Sequence, residues 1–176
     1  MATEQDKTLG ALQAAIQMEI DGKEFYLKAS QASNNELGKK LLQSLAAEED
    51  QHRQTFEGIY NTISDKKDWP RTDFQPDGGQ RLRTIFAKAT ETMDPGIDTM
   101  PTELDAIQTA MAMENKTYDF YKSQSQMATH EAERDFYEAV ASQEGEHHRI
   151  LLDYYEFLKN PAAWFVQKEH PSLDGG

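Results

Sequence analysis

The chain has 176 residues and no cysteine, and its 31 Asp and Glu against 18 Lys and Arg give a formal net charge of −13. The length suits one domain with a sizeable core, and the acidic balance argues against nucleic acid as a partner. Without cysteine there can be no disulfide, thiolate zinc site, iron–sulfur cluster or cysteine nucleophile, so any metal must be held by His, Asp and Glu.

The acidic residues are interleaved with Lys, Arg and apolar residues, which fits an acidic surface better than a disordered tail. No stretch approaches the roughly 18 consecutive apolar residues of a membrane span. The opening, Met1 to Gly10, is polar. A soluble protein without a signal peptide is expected.

All the prolines lie in the middle of the chain or near its end, leaving two proline-free blocks, 1–69 and 102–160, each long enough for two helices. In the first block Leu12, Ala15, Ile16, Glu19, Tyr26 and Ala29 share a helical face. After a break at Ser33-Asn34-Asn35, a second stripe runs Leu41, Leu45, Glu49, His52, Phe56, Ile59. In the second block Leu104, Ile107, Met111, Glu114 and Tyr121 form one stripe, and Val140, Glu144, His147, Leu151, Tyr154 and Leu158 another. The expected architecture is an all-α four-helix bundle, with hairpins over about 8–62 and 102–159 and a tail over 160–176. The Pro-, Gly- and Asp-rich segment 63–101 becomes a long crossover between the second and third bundle helices, with a short helix over Leu82 to Thr92.

The two blocks match at one offset of 95 residues: Glu19 with Glu114, Glu49 with Glu144, His52 with His147, and Phe25-Tyr26 with Phe120-Tyr121. This is an internal repeat of a helical hairpin. Two such hairpins about an approximate two-fold axis would bring equivalent side chains together.

In each half, a Glu and a Glu-x-x-His sit on stripes otherwise made of Leu, Ile, Val, Ala and Met. Buried carboxylates need compensation. Lys39, Arg53, Lys116 and Arg149 fall off the inward stripes, whereas two divalent cations would supply about four positive charges with the imidazoles neutral. Residues three apart share a helix face, so Glu49 with His52, and Glu144 with His147, can approach one metal each. The set Glu19, Glu49, His52, Glu114, Glu144, His147 matches the ligand pattern of ferritin-like di-iron and di-manganese proteins.

Tyr26 and Tyr121, two turns after Glu19 and Glu114, can hydrogen-bond a ligand carboxylate across the bundle. His148 points about 100° away from His147 on a helix. It is read as surface, as are His130 and His170. Glu48, Asp50 and Glu146 are read as solvated charges, and the methionines as core filler.

With these residues in place the sequence resembles the rubrerythrin branch of the ferritin-like superfamily. The resemblance rests on Met18-Glu19 through Phe25-Tyr26, Glu49-Asp50-Gln51-His52, Met113-Glu114 through Phe120-Tyr121, Glu144-Gly145-Glu146-His147, and the tail from Trp164-Phe165 to Gly175. It implies a cytoplasmic protein whose pair of irons reacts with hydrogen peroxide or dioxygen; manganese or zinc are alternative occupants of the site, and a homodimer is expected. The chain departs from that family in two ways. It lacks the four cysteines of a rubredoxin-like domain, so electrons would come from a separate donor such as a rubredoxin-type protein. Thr117 also stands where rubrerythrins place an additional ligand Glu, with Gly22 at the equivalent position of the first half. The six ligands that remain are closer to the ferritin and bacterioferritin pattern, which makes iron oxidation and storage a second expectation. A redox-silent metal-binding bundle is a third.

Overall fold

In the computed structural model, which describes residues 1–93 and 96–168 and the side chains through Trp164, local chemistry marks several of the helix starts. Helix α1 (Glu4–Ala32) opens on a capping box: Thr3 Oγ1 accepts from the Asp6 N–H at 3.1 Å, and Asp6 accepts from the Thr3 N–H at 2.9 Å. The turn at Ser33 separates it from α2 (Glu36–Ser64), whose first turn is capped by Asn35 Oδ1 accepting from the Gly38 N–H at 2.6 Å. In the crossover, Asp77 accepts from the Gly79 and Arg81 N–H groups and starts α3 (Gln80–Thr92), with Gly79 at a φ of 78°. Pro101 opens α4 (Pro101–Met127), where its missing N–H costs nothing. Helix α5 (Glu131–Lys159) follows, then α6 (Pro161–Lys168).

Helices α1 and α2 form one hairpin and α4 and α5 the other, so the chain is an all-α, ferritin-like bundle. The core divides into two apolar layers. One contains Leu37, Leu41, Leu45, Ile107, Ala110, Leu151 and Phe157, and the other Leu12, Ala15, Phe56, Ile59, Tyr137 and Val140. Along α2 and α4 the chain runs from the first layer to the second; along α1 and α5 it runs the other way. The end of α2 and the start of α4 therefore lie at opposite ends, and the crossover must span the bundle.

It does so as a packed strap. Trp69 is buried against Tyr137, with ring centroids 5.6 Å apart, and Phe74 meets Phe136 at 5.7 Å. Helix α3 begins two residues earlier than expected and packs Leu82 and Phe86 against α2 and α5. Within the expected tail, α6 sets Trp164 edge-on to Phe86 at 5.4 Å. The tail motif from Glu169 onward lies outside the described residues. Among the described residues, no helix is long and apolar enough to cross a membrane.

On α4 the buried face is rotated slightly from the expected stripe: Leu104 and Met111 are half-buried, while Glu103 and Ala110 are buried. The cause is a polar knot. Tyr154 donates to Glu103, Ser33 Oγ donates to Glu103 at 2.7 Å, and Asn35 Nδ2 donates to the Tyr154 hydroxyl at 3.1 Å. This knot ties the α1–α2 turn to α4 and α5. It needs Gly38, because a Cβ there would run into Ser33, Tyr154 and Glu103. Tyr154→Phe, which leaves Glu103 and Asn35 short of partners, is expected to lower stability by about 1–3 kcal/mol in denaturant unfolding.

Candidate metal centre

Between the apolar layers lies a layer of charge. Glu19 comes from α1, Glu49 and His52 from α2, Glu114 from α4, and Glu144 and His147 from α5, all essentially buried. Helical spacing puts each on the inward stripe, and the antiparallel hairpins bring the stripes to one level.

The donor atoms form two overlapping groups. One atom each from Glu19, Glu49, His52 and Glu144 lie within 4.8 Å of one another, as do atoms from Glu49, Glu114, Glu144 and His147. Glu49 and Glu144 belong to both. The imidazoles lie nearly parallel, 5.7 Å between centroids. His52 Nδ1 lies 3.2 Å from Glu19 and 3.0 Å from Glu144; His147 Nδ1 lies 2.8 Å from Glu49 and 3.4 Å from Glu114.

Closeness here is not hydrogen bonding throughout. Glu49 Oε1, Glu114 Oε2, Glu144 Oε1 and His147 Nδ1 are buried with no hydrogen-bond partner. Such orphaned atoms are costly unless something else satisfies them. Lone pairs converging from several directions are what a cation requires, and carboxylate with imidazole is a donor set suited to iron, manganese or zinc.

In the metal-free protein, protons provide the compensation. Burial, reinforced by the neighbouring carboxylates, pushes Glu49 and Glu144 well above the ordinary range and so favours their neutral forms. Burial also pushes Glu19 and Glu114 up, but His52 and His147 outweigh it and hold them below the ordinary value. Burial opposes charge on the imidazoles, yet Glu19 raises His52 to about 9, and Glu114 raises His147 well above its ordinary value.

The structure brings all six sequence-predicted residues together. It also places the two tyrosines across the bundle: Tyr26 donates to Glu114, and Tyr121 donates to Glu19. Each hydroxyl thus ties a carboxylate of the opposite hairpin, orienting it toward the centre. Of the residues read as surface, His130 is exposed, His148 is half-buried, and His170 lies outside the described residues.

Glu48 corrects the sequence reading. It is not a solvated charge: it is buried, accepting from Gln143 Nε2 at 2.9 Å and contacting His147 Nε2 at 2.7 Å. Burial pushes it up, but His147 outweighs this and holds it below the ordinary carboxylate value. Asp50 and Glu146 are also only part-exposed, Asp50 pairing with Lys23 and Arg53, and Glu146 with Arg83 and Arg149. Lone-helix geometry places Glu48 off the stripe, but the second hairpin fills the space beside it. The signal was the repeat itself, since Glu48 falls on Gln143 at the common offset.

The rubrerythrin family profile matches residues 10–155. The chain belongs to the rubrerythrin family. The matched span contains both hairpins and all six centre residues. Neither the curated proteins nor the solved structures yielded a match. Rubrerythrins hold a di-iron centre, and this chain has buried carboxylate and histidine groups that could hold metal.

The proton balance predicts how stability responds to pH. His52 has a raised folded pKa, so its contribution is fully present below its ordinary 6.5 and is lost as pH rises through about 9. His147 shifts in the same direction. The metal-free protein should therefore melt at lower temperature as pH rises across this window, and divalent cation, replacing those protons, should abolish the fall. Thermal unfolding by circular dichroism with and without metal checks both; metal-free stability that rose with pH would contradict the assignment.

Proposed function

We propose that this rubrerythrin-family protein is a di-iron oxidoreductase that reduces hydrogen peroxide or dioxygen in oxidative-stress defence. The observation carrying this reading is the pair of donor groups sharing Glu49 and Glu144. Glu19 with His52 would hold metal on one side and Glu114 with His147 on the other, with Glu49 and Glu144, common to both groups, available to bridge or to chelate. A pair of irons supplies two electrons at one place, so an oxidant can be reduced without release of a one-electron product.

The chain's own residues supply the setting. The apolar layers and the strap carrying Trp69 and Phe74 keep bulk water from the carboxylates. Tyr26 and Tyr121 fix the orientation of Glu114 and Glu19. Glu49 has room to change its mode of binding because Gly22 faces it: a Cβ there would stand 3.1 Å from Glu49 Oε2. In this reading electrons come from an external donor such as a rubredoxin-type protein, the setting is the cytoplasm, and the working unit is a homodimer.

Thr117 favours a second reading. Its hydroxyl donates to the Met113 carbonyl at 2.9 Å, turned onto its own helix, and so adds no carboxylate to the six ligands. A centre without the additional ligand suits iron oxidation and storage.

Anaerobic loading of the purified apoprotein with Fe(II), followed by rapid mixing with peroxide or dioxygen, separates the readings through near-ultraviolet absorbance. The di-iron oxidoreductase should bind two irons per chain and be oxidised faster by peroxide. Faster oxidation by dioxygen with continued uptake of excess Fe(II) would favour the ferroxidase. Fewer than two irons bound, or binding unchanged in Glu49→Ala and Glu144→Ala, would sink both.

A further inference from the structure

The repeat makes the two halves of the centre nearly equivalent, and one pair of residues breaks that equivalence. In both halves the imidazole turns Nδ1 toward the carboxylates of the centre. The outer nitrogens differ. His147 Nε2 lies 2.7 Å from Glu48 Oε2, whereas His52 Nε2 is buried with no hydrogen-bond partner and its ring faces Phe74 edge-on, 5.4 Å between centroids.

The repeat partner of Glu48 is Gln143, which spends its amide N–H on Glu48 at 2.9 Å and leaves its own Oε1 unpartnered. Where the first hairpin offers a carboxylate to the opposite histidine, the second offers an amide that bonds elsewhere. A carboxylate on the outer nitrogen fixes the tautomer with Nδ1 free to ligate, enriches the ring in electron density, and adds a negative charge to that side. The strap contributes too. Phe74, which faces His52, lines with Glu48 and Gln143 a cleft of about 480 Å³.

We propose that Glu48 is a positioning residue that makes the two halves unequal, so that the half built on His147 takes a divalent cation first and holds it more tightly than the half built on His52. This inference rests on the binuclear reading of the preceding subsection.

Calorimetric titration of the full-length metal-free protein with Co(II) tests it. The wild type should take up two equivalents in two resolved steps. Glu48→Gln, isosteric and able to keep its contact with Gln143, should weaken the first step by roughly 10- to 100-fold and draw the two steps together. His52→Gln should retain the tighter step. At one equivalent, the proton spectrum should show a single paramagnetically shifted, exchangeable imidazole N–H, and Glu48→Gln should displace it or speed its exchange. A merely structural role for Glu48 would move neither the spacing of the steps nor that resonance. Circular dichroism checks the fold of each variant; if Glu48→Gln does not fold, the wild-type isotherm and His52→Gln decide. Equal steps in the wild type, equal weakening of both steps in Glu48→Gln, or loss of the tighter step in His52→Gln would overturn the inference alone. Absence of Co(II) uptake would overturn the binuclear reading and this inference with it.

Discussion

Four carboxylates and two imidazoles buried at one level of a helical bundle are the constraint on which the rest of this structure depends. An uncompensated carboxylate in such a place costs several kcal/mol, and neighbours of the same sign add to the cost. In the metal-free protein, burial and neighbouring carboxylates push Glu49 and Glu144 upward so that they retain protons, while His52 and His147, outweighing burial, hold Glu19 and Glu114 below their ordinary value. The protons and the cation contend for the same atoms, so metal affinity, pH and stability are one linked quantity.

The apolar layers above and below make that arrangement tolerable. Each bundle helix carries core residues on both sides of the charged level of its buried stripe. Tyr26 and Tyr121 reach from one hairpin to the carboxylate of the other, so the charged layer also fixes how the hairpins face each other. At one end, the Ser33, Asn35, Glu103 and Tyr154 knot adds a second polar tie between the hairpins. The crossover, forced to travel the length of the bundle, closes one flank of the centre with aromatic rings.

Near-symmetry and its breach both bear on function. The repeated hairpin supplies paired donor groups, and its matched halves let both groups share Glu49 and Glu144. In the oxidoreductase proposed above, two unlike metals would give an incoming oxidant a preferred end. Glu48 opposite His147 and Phe74 opposite His52 place that difference in the protein rather than in the metals.

Much of this was legible in the chain. The period of the apolar stripes, the proline-free blocks and the offset of 95 residues determined the helices, their pairing and the inward Glu and His, because periodicity is local and burial follows from it. Charge on an apolar stripe without a cationic partner then pointed to metal. The surroundings of that charge were settled by tertiary structure alone. Glu48 looks solvated on a lone helix and becomes buried only when α5 supplies Gln143 and His147 beside it. Glu103 likewise turns inward because Ser33 and Asn35 from the α1–α2 turn and Tyr154 from α5 meet it there. Trp69 and Phe74 sit in a segment without periodicity, so nothing local foretold their packing on α5. Spacing along one helix says which residues can face inward; only the helices packed against it decide what those residues meet.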